Sequence, residues 1–272
     1  MSNIINVAKK EFADLMGSWL VIFVFAAYLL LTAYTAYQFH DILSNHNYIE
    51  GDLITNFLCG ISIVLSNYGS LVAVVIGFAS ISSEREGNAL NTLLVKPLYR
   101  DTIINGKLLG ALAFLICLFV FAVLLYTSGL FVVCGSSFIS VLPQYLAGLP
   151  FDVGVSLIYS MIFFGISMLL SILFRNQAFA LSLGVISIFI SETVSTIDVT
   201  QGLSLLIGYD VNTIAGWSPD GIRSDIVFML YRSHPGLIAD TSAVGADTIR
   251  LLLYMVMIIV ICYTVFLRKD VS

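Results

Sequence analysis

One stretch of this chain interleaves charged, apolar and helix-breaking residues closely enough to act as a recognition surface: Ser82–Lys107, SSEREGNALNTLLVKPLYRDTIINGK. Glu84, Arg85 and Glu86 open it, and Leu90, Leu93 and Leu94 follow at i, i+3 and i+4. A short helix from about Glu84 would therefore present one apolar ridge edged by charge. Pro97 has no N–H to continue such a helix and biases Lys96 toward an extended backbone, so the helix must stop there. Arg100 and Lys107 then flank Ile103 and Ile104, and Gly106 and Gly110 form a small-xxx-small pair that admits a close backbone neighbour. An inert charged loop held by its own ion pairs would use the same residues. Nucleotide chemistry is a poorer fit. The pair Gly106-Lys107 has Asp101 where a P-loop needs its first glycine and Leu108 where it needs Ser or Thr.

Elsewhere the reactive inventory is thin. Ser62, Ser66, Asn67 and Tyr68 sit in the middle of an apolar run, where they serve either as interhelical hydrogen-bonding groups or as the lining of a pathway. Glu192 is the carboxylate placed well within an apolar stretch, which makes it a pathway or packing candidate; the alternative is a group that reaches to water at the outer interface. His40, His46 and His234 lack metal-ligand spacing, and Cys59, Cys117, Cys134 and Cys262 contain no CxxC pair. The cysteines read as small buried hydrophobes, with a Cys59–Cys134 disulfide conceivable. No catalytic, cofactor or metal site is expected.

The elements that must carry these groups follow from composition. Of 272 residues 59% are apolar and 11% charged, with a mean hydropathy of +0.99, which excludes a soluble or disordered chain. Six apolar stretches are long enough to cross a bilayer: residues 18–37, 55–81, 108–133, 153–174, 178–199 and 249–267. The second and third are the longest of these and must tilt or project beyond the hydrocarbon. The fold class is an all-α membrane protein forming a single domain over residues 1–272. The net charge of −5, without a basic block, argues against nucleic-acid binding.

Six spans put both termini on one side. Placing that side in the cytoplasm gathers Lys9, Lys10, Arg85, Lys96, Arg100, Lys107, Arg175, Arg268 and Lys269 there, leaving Arg223, Arg232 and Arg250 outside. The expected location is therefore the cell membrane, with both termini cytoplasmic. Residues 1–17 lack the apolar core of a signal peptide. Ile4, Ile5, Ala8, Phe12, Leu15 and Met16 share one helical stripe opposite Lys9, Lys10, Glu11 and Asp14, as an interfacial helix or a solvated lead-in would have it. Residues 82–107 form a cytoplasmic segment, and Phe174-Arg175-Asn176-Gln177 is a second, very short inner turn. Residues 200–248, broken by glycine and proline, form an outer region that either dips into the membrane or covers it.

The Glu84–Lys107 string resembles the loop between the second and third spans of ABC-2 type permeases, whose usual pattern is Glu-Arg/Lys-Glu-x-Gly-Thr-Leu-x-x-Leu-Leu-x-x-Pro followed by Arg and Gly-Lys. Glu84, Arg85, Glu86, Leu90, Leu93, Leu94, Pro97, Arg100, Gly106 and Lys107 match, while Asn88 and Ala89 depart. The six-span plan, the interfacial Lys9-Lys10-Glu11-Phe12 helix and the Arg268-Lys269 ending are also similar, with the nearest likeness to permeases of the NosY kind, associated with maturation of multi-copper enzymes. The resemblance implies a coupling helix docked on a separate cytoplasmic ATPase that binds the ATP, with Arg175, Asn176 and Gln177 as a second, minor contact. It also implies a second permease copy, with export of a substrate between the two. A secondary carrier or channel working without an ATPase is the competing class. It would call for repeated glycine- or proline-broken spans and buried charge pairs.

Overall fold

The computed structural model describes residues 2–45, 50–86, 100–232 and 241–268, and every regular element among them is helical. The amphipathic leader is α1 (Ser2–Met16), followed by α2 (Trp19–Asn45), which carries span 1. Span 2 is composite: α3 (Glu50–Ile63), a π-helical turn at Val64–Tyr68, and α4 (Gly69–Glu86). Spans 3, 4 and 5 are α5 (Arg100–Cys134), α6 (Ser136–Leu173) and α7 (Gln177–Ser195). Three short helices follow, α8 (Ile197–Ile207), α9 (Val211–Ala215) and α10 (Pro219–Arg232), before span 6, α11 (Thr241–Arg268). Six segments are long and apolar enough to cross a membrane: Val21–Phe39, Ile54–Ser82, Thr102–Cys134, Ser136–Leu173, Gln177–Ser195 and Ala243–Phe266. The chain is an all-α membrane protein.

Helix α6 lies at the centre and packs against α3, α4, α5, α7, α10 and α11. Its tightest partner is α4, and the seam between them is made of small and hydroxylated residues. Ser66 Oγ and Ser156 Oγ share a hydrogen bond of 2.9 Å, Ser167 Oγ donates to the Val74 carbonyl at 2.6 Å, and Ser171 Oγ donates to that of Phe78. Between these contacts Gly77 faces the Phe164 carbonyl so closely that a Cβ there would lie 2.5 Å from the oxygen. Residue numbers rise together on the two sides, so the helices run parallel. Lipid supplies no hydrophobic drive for helix association, and backbone approach plus hydroxyl bonding take its place.

Span 4 departs from the sequence expectation. Its helix begins at Ser136 rather than Val153 and runs through Pro143 and Pro150, making it, at 38 residues, the longest of the six. Proline ends a helix in water, but within a bundle neighbouring groups can satisfy the freed carbonyls and the helix continues. The early turns are anchored by buried Phe138, whose ring meets Phe57, Phe131 and Tyr145 edge-on at 4.9–5.5 Å. A single residue, Gly135 at φ 53°, joins α5 to α6, a conformation that favours glycine. All four cysteines are free thiols, and Cys134 is buried.

Candidate functional site

The chemistry-bearing residues fall at three levels along the bundle. At the end where α4 and α5 flank residues 87–99, Lys107 is 3% exposed and donates to Glu11 Oε1 at 2.9 Å and to the Ser80 carbonyl at 2.7 Å. One ammonium therefore ties α1, α4 and α5 together. Glycines on either side of it make the approach possible. A Cβ on Gly106 would collide with Val7, and one on Gly110 would lie 2.8 Å from Glu11 Cβ and 3.1 Å from the Ala8 carbonyl. The small-xxx-small pair thus receives α1, and Lys107 is turned inward rather than displayed. Glu84, Arg85 and Glu86 fall in the last turn of α4, and Arg100 begins α5. Leu90, Leu93, Leu94 and Pro97 lie outside the described residues. In the short turn between α6 and α7 Arg175 is exposed, and Asn176 is the N-cap of α7, accepting from the Phe179 N–H at 3.3 Å; Gln177 is the first helical residue.

At mid-depth, Ser66, Asn67 and Tyr68 occupy the π-helical turn. Such single turns insert an extra residue into a helix and recur at functional sites. The three side chains diverge. Ser66 bonds Ser156 on α6, and Tyr68 meets the buried Tyr28 ring edge-on at 6.5 Å. Asn67 shares the stripe of Ile63 and Leu71, both exposed, yet its Oδ1 is buried and without a hydrogen-bond partner among the described residues.

The third level is a buried charge node that composition and spacing did not reveal. The Asp220 carboxylate in α10 receives Arg223 Nε at 3.1 Å and Nη2 at 2.8 Å on Oδ1, and Ser195 Oγ at 2.7 Å on Oδ2. Its own N–H donates to Ser191 Oγ at 3.1 Å, and Tyr159 OH reaches Oδ1 at 3.5 Å. The Arg223 guanidinium lies over the Tyr159 ring, 5.4 Å from its centroid. Asp220 and Arg223 are 6% and 8% exposed. Glu192, half-buried on α7, is within electrostatic reach of both, and a further carboxylate, Asp152 on α6, is 1% exposed. Glu192 is therefore not the one carboxylate inside an apolar helix; Asp152 lay one residue before the expected start of span 4 at 153, and the helix in fact begins at Ser136. For Asp220 a signal existed. Ser218-Pro219-Asp220-Gly221 is a helix start, with Ser218 Oγ accepting from the Gly221 N–H at 2.9 Å, proline next and a carboxylate in the first turn.

No curated protein matches this chain. A family model described as ABC-2 family transporter protein matches residues 5–271. That match spans α1, all six membrane helices and the short helices before span 6, and the chain accordingly belongs to the ABC-2 family, as a permease of an ABC transporter.

Proposed function

We propose that this permease moves its substrate outward with energy delivered by a separate cytoplasmic ATPase, which docks on the Glu84–Lys107 segment. The observation that carries the proposal is the Lys107 tie. Residues 87–99 join the end of α4 to the start of α5, and Lys107 fastens those two helices to each other and to α1. A push on that segment is delivered to spans 2 and 3 and the interfacial helix as one body. Through the α4–α6 seam it continues into span 4. Both termini are cytoplasmic in this reading, the pathway forms with a second permease copy, and the nearest functional kin are the NosY-like permeases.

The chain's own part is mechanical. Leu90, Leu93 and Leu94 fill an apolar groove on the ATPase, Glu84, Arg85, Glu86 and Arg100 border it, and Pro97 fixes where the ridge ends. Replacing Leu93 and Leu94 by Asp places carboxylates in that groove, and burying an unpaired charge costs several kcal/mol. The expected result is loss of co-purification with the cognate ATPase and loss of its activity in proteoliposomes, while membrane insertion is normal. Retention of the ATPase at wild-type stoichiometry by the inserted variant would refute the docking assignment.

A further inference from the structure

We infer that the ends of α6 and α11 on the Lys107 side form a binding site for one anionic phospholipid, with Arg268 on its headgroup and the exposed stripe of α11 along an acyl chain. The site begins with the way the two helices pass. Gly165 admits Ile258 so closely that a Cβ there would lie 2.8 Å from its Cγ2. Two turns further along, the same pair encloses an open groove of about 610 Å³ lined by Leu173, Thr264, Val265 and Arg268. Its depth follows from the α4–α6 seam. Ser171 bonds the Phe78 carbonyl and Lys107 bonds that of Ser80, so Leu173, as far past Ser171 as Ser80 is past Phe78, stands at the level of the Lys107 ammonium. The apolar segment of span 6 ends at Phe266, which puts Arg268 just beyond the hydrocarbon, where lipid headgroups lie.

Chemistry chooses the occupant. Leu173 and Val265 give the groove apolar walls, and Thr264 and Arg268 are exposed in it. Among the described residues no carboxylate lines it, and Arg268 makes no ion pair. An arginine in the last turn offsets the partial negative charge of its own helix end, and beside a flat helix surface that would be its whole role. Here it stands over a recess, and basic recesses between membrane helices hold acidic lipid headgroups. The acyl chain has its own track. Leu253, Met257, Val260 and Thr264 follow at i, i+4, i+7 and i+11, all exposed, and form one stripe that leads to Arg268. From Thr264 to Leu253 the helix rises about 16 Å, close to the ~15 Å that one leaflet contributes to a ~30 Å core. A soluble phosphate would use the arginine and leave the stripe bare; a phospholipid uses both.

The test uses the full chain in uncharged detergent micelles, with Trp19→Phe and Trp217→Phe and with Leu173→Trp as a fluorescent reporter in the groove. The titrants are phosphatidylglycerol and phosphatidylcholine carrying the same brominated acyl chains, whose bromine quenches a tryptophan in contact. Phosphatidylglycerol should quench at the lower concentration. Arg268→Gln should raise the concentration of phosphatidylglycerol needed about five-fold, the factor that one basic side chain contributes beside an anionic lipid surface, and leave phosphatidylcholine unchanged. Lys10→Gln removes a charge of the same sign from the exposed face of α1 and should change neither titration. Thr264→Trp serves as reporter if Leu173→Trp fails to insert. Equal quenching by the two lipids overturns the site, as does an equal loss in Lys10→Gln. Displacement of phosphatidylglycerol by glycerol 3-phosphate at the same concentration overturns it as well, because the headgroup alone would then suffice. Absence of quenching by either lipid also overturns it and gives the groove to a second copy or another protein. No ATPase is present in this assay, so its failure leaves docking on Glu84–Lys107 standing. Conversely, the chain with Leu93→Asp and Leu94→Asp should lose the ATPase and keep the quenching.

Discussion

Replacing Lys107 by Met keeps the buried stem and deletes the ammonium. The side chain is 2% exposed and among its hydrogen bonds are two charge-assisted ones, one to Glu11, which is 19% exposed, and one to the Ser80 carbonyl. Bonds to charged groups contribute roughly 1.5–3 kcal/mol each, offset by the desolvation of the ammonium. A net loss of about 2 kcal/mol is expected, concentrated where α1 meets α5. Glu11→Gln retains an acceptor at the more open partner and should lose about 1 kcal/mol. Because both changes weaken the same Lys107–Glu11 interaction, the double variant should fall short of the sum by about 1 kcal/mol. Lys9 and Lys10 are exposed on α1 and provide the assay. Trypsin cleavage there follows the population in which α1 has lifted, when opening is fast relative to cutting. Cleavage should accelerate about 30-fold in Lys107→Met and about 5-fold in Glu11→Gln, from 1.4 kcal/mol per factor of ten. Strictly additive effects, or a larger effect from Glu11→Gln, would refute the idea that Lys107 is the hub of the tie.

Two further outcomes are expected. Gly77→Ala drives a Cβ against the Phe164 carbonyl at 2.5 Å and the Met168 nitrogen at 3.3 Å, so α4 and α6 must part, at a cost of about 1–3 kcal/mol. Thermal unfolding in detergent should show the loss, whereas Gly154→Ala, with nothing within 4 Å of its Cβ, should be neutral or slightly stabilising. Burial, with the Asp247 carboxylate adding to it and Arg250 opposing, raises the Asp225 carboxyl above its ordinary value. A carboxyl raised on folding opposes stability wherever the unfolded chain would ionise it. Asp225→Asn should therefore raise the unfolding temperature at neutral pH, and the gain should disappear as pH falls below the ordinary Asp value of about 3.9. A gain that persists at pH 3 would contradict that sign.

Much of the scaffold was legible because it obeys local rules. The amphipathic stripe in residues 2–16, the six apolar runs and the Gly106/Gly110 pair each name a face or a close approach, and α1 lies against that pair as the spacing implied. Span 4 was placed at residues 153–174, whereas its helix starts at Ser136 and continues through Pro143 and Pro150, where neighbouring helices offset part of the proline penalty. The Asp220 node was missed for a different reason. Asp220 and Arg223 looked like ordinary loop charges, and only the tertiary course of α10 carries them into the bundle. The Ser218-Pro219-Asp220 cap announced a helix but not its depth. Lys107 was read as part of a docking surface, and its sequence neighbours gave no hint that Glu11, far away in the chain, would draw it inward.

Helix α7 has 19 residues, about 28 Å of rise, against a hydrocarbon layer of ~30 Å. Spans 3 and 4, carried by α5 and α6 with 35 and 38 residues, can absorb a thicker or thinner bilayer by tilting. Span 5 has no such reserve. A mismatch must be met at its two polar ends, where Asn176 caps one terminus and Ser195 holds Asp220 at the other. Lengthening the acyl chains of the surrounding lipid therefore loads those particular hydrogen bonds, and the protein carries in span 5 a gauge of membrane thickness.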